Sequence, residues 1–149
     1  MKMIIAAMLS TLSLMSYSAF ATVTEVTNYK SPYCGCCTEW STHMQQAGFK
    51  VNEQLQEDMT AIKQQLGITP KLASCHTAVI DGYVFEGHIP ATDIQAFLAN
   101  PPKNAKGLAA PGMPIGSPGM ESGDKKEAYS VFAFNEQGQV FEFAHHEGN

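Results

Sequence analysis

Apolar and polar residues alternate from Val23 to Tyr29, with Val23, Glu25 and Thr27 on one face and Thr24, Val26 and Asn28 on the other. A period of two with this β-branched content predicts a strand, which Ser31-Pro32 ends. From about Cys36 to Ala47 the period lengthens: Trp40, Met44 and Ala47 recur at spacings of four and three, which predicts a helix stopped by Gly48. Phe49–Gln54 reads as a second strand and Met59–Leu66 as a second helix, closed by Gly67 and Pro70. His76–Ile80 and Tyr83–Glu86 flank Asp81-Gly82, the turn dipeptide of a tight hairpin. Pro90 opens a helix over Ala91–Ala99, and Pro101-Pro102 closes it. The order to this point is β-α-β-α-β-β-α, an α/β chain.

The pattern then lapses. Lys103 to Asp124 is rich in glycine and proline and carries the unit Pro-Gly-Met twice, at 111–113 and 118–120. It is expected to be a long loop without regular structure, and loops of that kind are usually functional. Tyr129–Phe134 and Gln139–Phe143 predict a last hairpin about Asn135–Gly138. No repeat or linker divides the chain, so residues 22–149 are expected to form one domain, extended from about residue 103.

Residues 1–21 change the setting. One lysine, an apolar run from Met3 to Met15 too short to span a bilayer, and Ala19-Phe20-Ala21 together predict a secretory signal cleaved after Ala21. No later segment is long and apolar enough for a membrane span. The formal charge is -5, and all nine basic residues are lysine. An acidic chain without arginine or a basic cluster argues against nucleic acid as a partner.

The candidate chemistry is concentrated in Ser31-Pro-Tyr-Cys-Gly-Cys-Cys-Thr-Glu-Trp40, where three of the four cysteines lie within four residues. A strand, a short turn and C-x-x-C at a helix start is the thioredoxin arrangement. The N-terminal helix turn presents unpaired N–H groups and partial positive charge, both of which favour thiolate. Thiolate attacks disulfides and also binds soft metals. Cys34 and Cys37 suffice for dithiol exchange as nucleophile and resolving thiol; Cys36 has no place in it. Three thiolates so close repel one another unless a cation neutralises them, and they crowd a single tetrahedral ion. Sulfurs bridging more than one Cu(I) ion resolve both difficulties. Other soft or borderline donors are Cys75, His76, His88, Met113, Met120 and, on the helix, His43 and Met44.

The chain resembles the CopG-type copper-resistance proteins, small periplasmic proteins of Gram-negative bacteria. The resemblance rests on Ser31-Pro-Tyr-Cys-Gly-Cys-Cys37, Trp40-Ser-Thr-His-Met-Gln-Gln-Ala-Gly-Phe49, Ser74-Cys-His-Thr-Ala78, Gly82-Tyr-Val-Phe-Glu-Gly-His-Ile-Pro-Ala91 and Gly107-Leu-Ala-Ala-Pro-Gly-Met-Pro-Ile-Gly-Ser-Pro-Gly-Met-Glu121. It implies a thioredoxin-like fold, copper at the C-x-C-C motif and a part in copper tolerance. Similarity to thioredoxin also implies that the loop Leu72–His76 packs against the dithiol, bringing Cys75 to Cys34, Cys36 and Cys37. Pro70 is too early for the cis-proline of thioredoxins, which weakens the case for ordinary thioredoxin substrates.

The expected metal ligands are therefore Cys34, Cys36, Cys37, Cys75, His88 and Met113, with Cys34 and Cys37 as the redox pair and copper, preferentially Cu(I), bound as more than one ion. Met113 is expected to reach the site because Lys103–Asp124 folds over it as a lid. Copper ions, and copper efflux or chaperone proteins of the periplasm, are the expected partners of a monomer. Core packing is the favoured account of Met44, and a solvated tail that of His145-His146, with weak Cu(II) or Zn(II) capture as its alternative. The competing function is a metal-free thiol–disulfide oxidoreductase of the periplasm.

Overall fold

The computed structural model describes residues 23–149; the expected signal segment lies outside them. Ten elements follow one another: β1 (Glu25–Lys30), α1 (Gly35–Gln46), β2 (Lys50–Leu55), α2 (Met59–Gln65), β3 (Thr77–Ile80), β4 (Tyr83–Glu86), α3 (Ala91–Ala99), β5 (Ala105–Ala109), β6 (Tyr129–Asn135) and β7 (Val140–His146). The strands form one seven-stranded sheet in the order β2-β1-β3-β4-β5-β6-β7. β1 runs parallel to β2 and β4 parallel to β5; every other neighbouring pair is antiparallel.

Local chemistry explains most boundaries. Asp58 caps α2, its carboxylate accepting from the N–H groups of Thr60 and Ala61. Asp81 and Gly82 both have positive φ, as the expected two-residue hairpin turn requires.

The sheet is covered on both faces. On one, Trp40 and Met44 of α1 and Ile94 and Phe97 of α3 pack with Val26, Phe85, Leu108 and Val131. On the other, Val84, Ala109 and Phe134 meet Ile68 and Leu72 of the segment after α2. Adjacent residues such as Val84 and Phe85 thus serve opposite layers, as the pleat dictates. Fully buried aromatics such as Phe85 and Phe97 contribute about 2 kcal/mol each by leaving water.

The strand β5 departs from expectation. Ala-Lys-Gly-Leu-Ala has little β-propensity and begins the stretch expected to be irregular, yet it is an inner strand between β4 and β6. Its glycine is the reason it fits. A Cβ on Gly107 would stand 1.6 Å from the Val84 carbonyl oxygen, so β4 and β5 keep this approach only with glycine at 107. The C-terminal strand is also longer than expected and takes in His145 and His146. His146 is no solvated tail: its Nε2 lies 2.7 Å from an Asp93 carboxylate oxygen of α3, and its ring stacks on Tyr129.

Gly107→Ala is therefore expected to lower unfolding free energy by about 2–3 kcal/mol through forced separation of β4 and β5. Urea denaturation monitored at Trp40 measures it; an unchanged midpoint contradicts the close approach.

Candidate metal centre

After β1 the chain turns at Ser31–Cys34, where the Cys34 N–H donates to the Ser31 carbonyl (3.1 Å). Cys34 is the N-cap of α1, in extended backbone conformation and without a side-chain capping bond. Cys34, Cys36 and Cys37 thus lie in and before the first helical turn, whose N–H groups have no partner within the helix. Cys34 and Cys37, with Cα atoms 5.4 Å apart, form a disulfide. Cys36 remains a free thiol, 3.5 Å from the Cys34 sulfur.

Cys75 comes from the opposite direction, on the loop that enters β3, and places its sulfur 4.0 Å from that of Cys36. The four sulfurs all lie within 4.8 Å of one another. A fully buried carboxylate holds the Cys75 loop. Glu86, the last residue of β4, accepts from the Ser74 N–H (2.6 Å) and the Thr77 hydroxyl (2.6 Å) and pairs with the Lys63 ammonium of α2. Lys63 also donates to Thr77 Oγ1 (3.1 Å).

Two buried imidazoles complete the surroundings. His88 Nδ1 is 2.7 Å from the Pro118 carbonyl. A carbonyl only accepts, so Nδ1 carries the proton and Nε2 turns its lone pair to the Cys75 sulfur, 2.9 Å away. His76 Nδ1 is 3.4 Å from the same sulfur, and its Nε2 has no hydrogen-bond partner among the described residues. The His76 ring sits between Trp40 and His88, at centroid distances of 4.5 and 5.0 Å. Trp40 itself donates to the Ile89 carbonyl (2.9 Å), tying α1 to the segment that bears His88. Cys75, His76 and His88 form a second group with donor atoms within 4.8 Å.

These surroundings disfavour charge. Burial, with smaller contributions from His88, Lys63 and Lys30, holds the His76 imidazole well below its ordinary range. Burial also lowers His88, against the opposing pull of the Pro118 carbonyl and Glu121. The Cys75 thiol is pushed up to about 12, first by burial and then by Cys36. At neutral pH Cys75 is therefore S–H, donating to a neutral His88. An incoming soft cation reverses that preference, because it offsets the charge of the thiolates it binds.

The glycine- and proline-rich segment does cross the site, but with its second Pro-Gly-Met unit. Pro118 supplies the carbonyl to His88, and Gly119 (φ +85°) presses on the start of α1. A Cβ on Gly119 would fall 2.6 Å from the Cys36 carbonyl oxygen and 2.8 Å from the Trp40 nitrogen. The first unit is anchored by Gly112, whose N–H donates to the Ala73 carbonyl and whose carbonyl accepts from Ser74 Oγ. Met113 next to it is 48 % exposed. Among the remaining candidates, Met44 is fully buried core, and His43 Nε2 accepts from the Ala91 N–H at the start of α3. Met120 is half-buried, and His145 lies on the exposed face of the last hairpin.

Sequence reasoning did not single out Glu86 or Pro118. A glutamate ending the apolar run Tyr-Val-Phe was a usable signal, since such a carboxylate needs partners; the carbonyl of Pro118 carries no signal at all.

The family model described as "Protein of unknown function, DUF411" matches residues 72–120. That stretch holds Cys75, His76, Glu86, His88 and both Pro-Gly-Met units. Two solved structures, titled "Copper resistance protein copG- Form 2" and "Copper resistance protein copG- Form 1", are 41 % and 42 % identical to the chain. Each has a TM-score of 0.79, and each alignment covers 83 % of this chain and 98 % of the other. The chain belongs to the CopG copper resistance protein family. No curated protein matches it significantly. No helix among the described residues is long and apolar enough to cross a membrane.

The raised thiol predicts a reactivity order. With the Cys34–Cys37 disulfide intact and metal absent, Cys75 is expected to react slowly with iodoacetamide at about pH 8. Its rate should still climb above about pH 10, because thiolate is the nucleophile. Peptide mass spectrometry after timed quenching measures this; a plateau near about pH 9, where ordinary thiols titrate, contradicts it.

Proposed function

We propose that this protein is a periplasmic copper-binding protein of copper resistance, which holds Cu(I) in a cysteine-thiolate site on a thioredoxin-like scaffold. One observation carries the reading: four cysteine sulfurs from two distant segments converge within 4.8 Å, beside an imidazole whose free lone pair is aimed at them. Soft sulfur donors select Cu(I) over harder ions. So many sulfurs in so small a volume favour bridging over separate terminal ligation, which gives a site for more than one copper ion. The proposed ligands are Cys34, Cys36, Cys37, Cys75 and His88, with the Met113 thioether from the covering segment. Titles of the similar structures, which name copper resistance, support the assignment.

The scaffold assignment rests on topology. The first four strands lie in the order β2-β1-β3-β4, with α1 between β1 and β2, α2 between β2 and β3 and a tight turn between β3 and β4; the dithiol starts α1 while the Cys75 loop precedes β3. The Cys34–Cys37 pair gives the site a redox function: two electrons open the disulfide, supplying two ligands, and the same pair returns electrons when it closes. The protein thereby interconverts Cu(I) and Cu(II), with periplasmic copper efflux or chaperone proteins as its partners.

The formed Cys34–Cys37 disulfide favours one other reading, a metal-free thiol–disulfide oxidoreductase with Cys34 as nucleophile and Cys37 as resolving thiol. That reading leaves Cys36, Cys75 and the fixed tautomer of His88 without a task.

Metal content of protein purified from copper-fed cells without air separates the two. Several coppers per chain are expected, and Cys36→Ser should lower that stoichiometry while leaving Cys34–Cys37 exchange largely intact. Copper-free protein, or full copper loading in Cys36→Ser, contradicts the cluster. Met113→Leu keeps volume and apolarity but removes sulfur. Its metal-free melting temperature should barely change, while the copper affinity or spectrum shifts; an unaltered spectrum and affinity remove Met113 from the site.

A further inference from the structure

We infer that Cys36 and Cys75 form a second redox pair, so that the site stores four electrons per chain as two disulfides. The inference rests on the copper reading only for the nature of the oxidant. With Cys34 and Cys37 already joined, Cys36 and Cys75 are the two free thiols. Their sulfurs stand 4.0 Å apart, and both residues are half-buried and open to small reagents. An approach of about 2 Å takes two sulfurs from that distance to the length of a disulfide bond.

The alternatives for Cys36 are poorer. Its other near neighbour is the Cys34 sulfur at 3.5 Å. Attack there would displace Cys37 and close a C-x-C bridge, which is strained, and would leave the thiol count unchanged. Bonding to Cys75 instead joins the first turn of α1 to the loop held by Glu86. His88 Nε2, 2.9 Å from the Cys75 sulfur and with its lone pair turned to it, is placed to take the proton of Cys75.

The step balances with Cu(II) as the oxidant. Cys36 S–H and Cys75 S–H each lose a proton and an electron. One S–S bond forms, two Cu(II) become two Cu(I), and two protons leave, the one from Cys75 by way of His88. The Cys34–Cys37 pair, once reduced, does the same. The fully reduced protein thus reduces one Cu(II) for each of its four cysteines. A single C-x-x-C dithiol would stop at half of that.

Two arms test this on the mature chain. In the first, reduced and metal-free protein is titrated with diamide, a copper-free oxidant, then quenched with N-ethylmaleimide and mapped by mass spectrometry. Alkylatable thiols should fall from four to two and then to none in the monomer, with a Cys36–Cys75 linked peptide at the second step. Cys75→Ser should stop with one alkylatable thiol, that of Cys36. Two thiols that persist in excess diamide, or that vanish only into dimers, overturn the pair. In the second arm, the reduced protein receives excess Cu(II) without air, and Cu(I) is counted with a Cu(I)-specific chelator. Four Cu(I) per chain are expected for the wild type and two for Cys75→Ser. Two for both overturns the four-electron store. A linked Cys36–Cys75 peptide with diamide but no Cu(I) from Cu(II) upholds the pair and overturns copper as its oxidant.

Discussion

The cysteine centre depends on a carboxylate that binds no metal. Glu86 is fully buried, yet it gathers the Ser74 N–H, the Thr77 hydroxyl and the Lys63 ammonium onto two oxygens. These donors come from the Cys75 loop, the first residue of β3 and α2. A buried charge is tolerable only when so paired, and removing one partner from such a pair typically costs about 3–5 kcal/mol. That cost fixes where Ser74 sits, and Cys75 is the next residue. The same strand end leads through Gly87 to His88. One ion pair therefore sets the position of two of the groups that converge on α1.

What converges there is unfavourable in isolation. Four sulfurs within 4.8 Å resist ionisation together, and the imidazoles beside them are held neutral by burial. The protein meets this in two ways. The helix terminus supplies unpaired N–H groups, and the disulfide removes two thiols altogether. Once that disulfide is reduced, the four sulfurs gain most from a soft cation, because it offsets the charge of the thiolates that bind it. The close passage of Pro118-Gly119 over α1 then orients His88 and shields the cluster on that side.

Much of this was legible along the chain. Nine of the ten elements follow from periodicity and turn residues, because most of them bury a face or are bounded by a glycine or proline. β5 was not legible: its alanines and glycine carry no strand signature, and the close contact with Val84 that selects Gly107 is visible only in three dimensions. The three clustered cysteines announced their chemistry at once. The meeting of Cys75 with them, separated by 39 residues from Cys36, came from family resemblance and not from spacing. The two Pro-Gly-Met units are identical as sequence, so nothing told which would touch His88; the structure gives that contact to the second. His76 looked like an optional donor and is a fully buried ring wedged between Trp40 and His88.

X-ray absorption at the copper K-edge, on protein loaded with Cu(I) in the absence of air, tests the central claim most directly. The account predicts a Cu(I) edge and a first shell dominated by sulfur, with a minor imidazole contribution that His88→Ala removes and copper–copper scattering beyond it. A first shell of nitrogen and oxygen, or a sulfur shell unchanged when Cys36 and Cys75 are both replaced by serine, would contradict it.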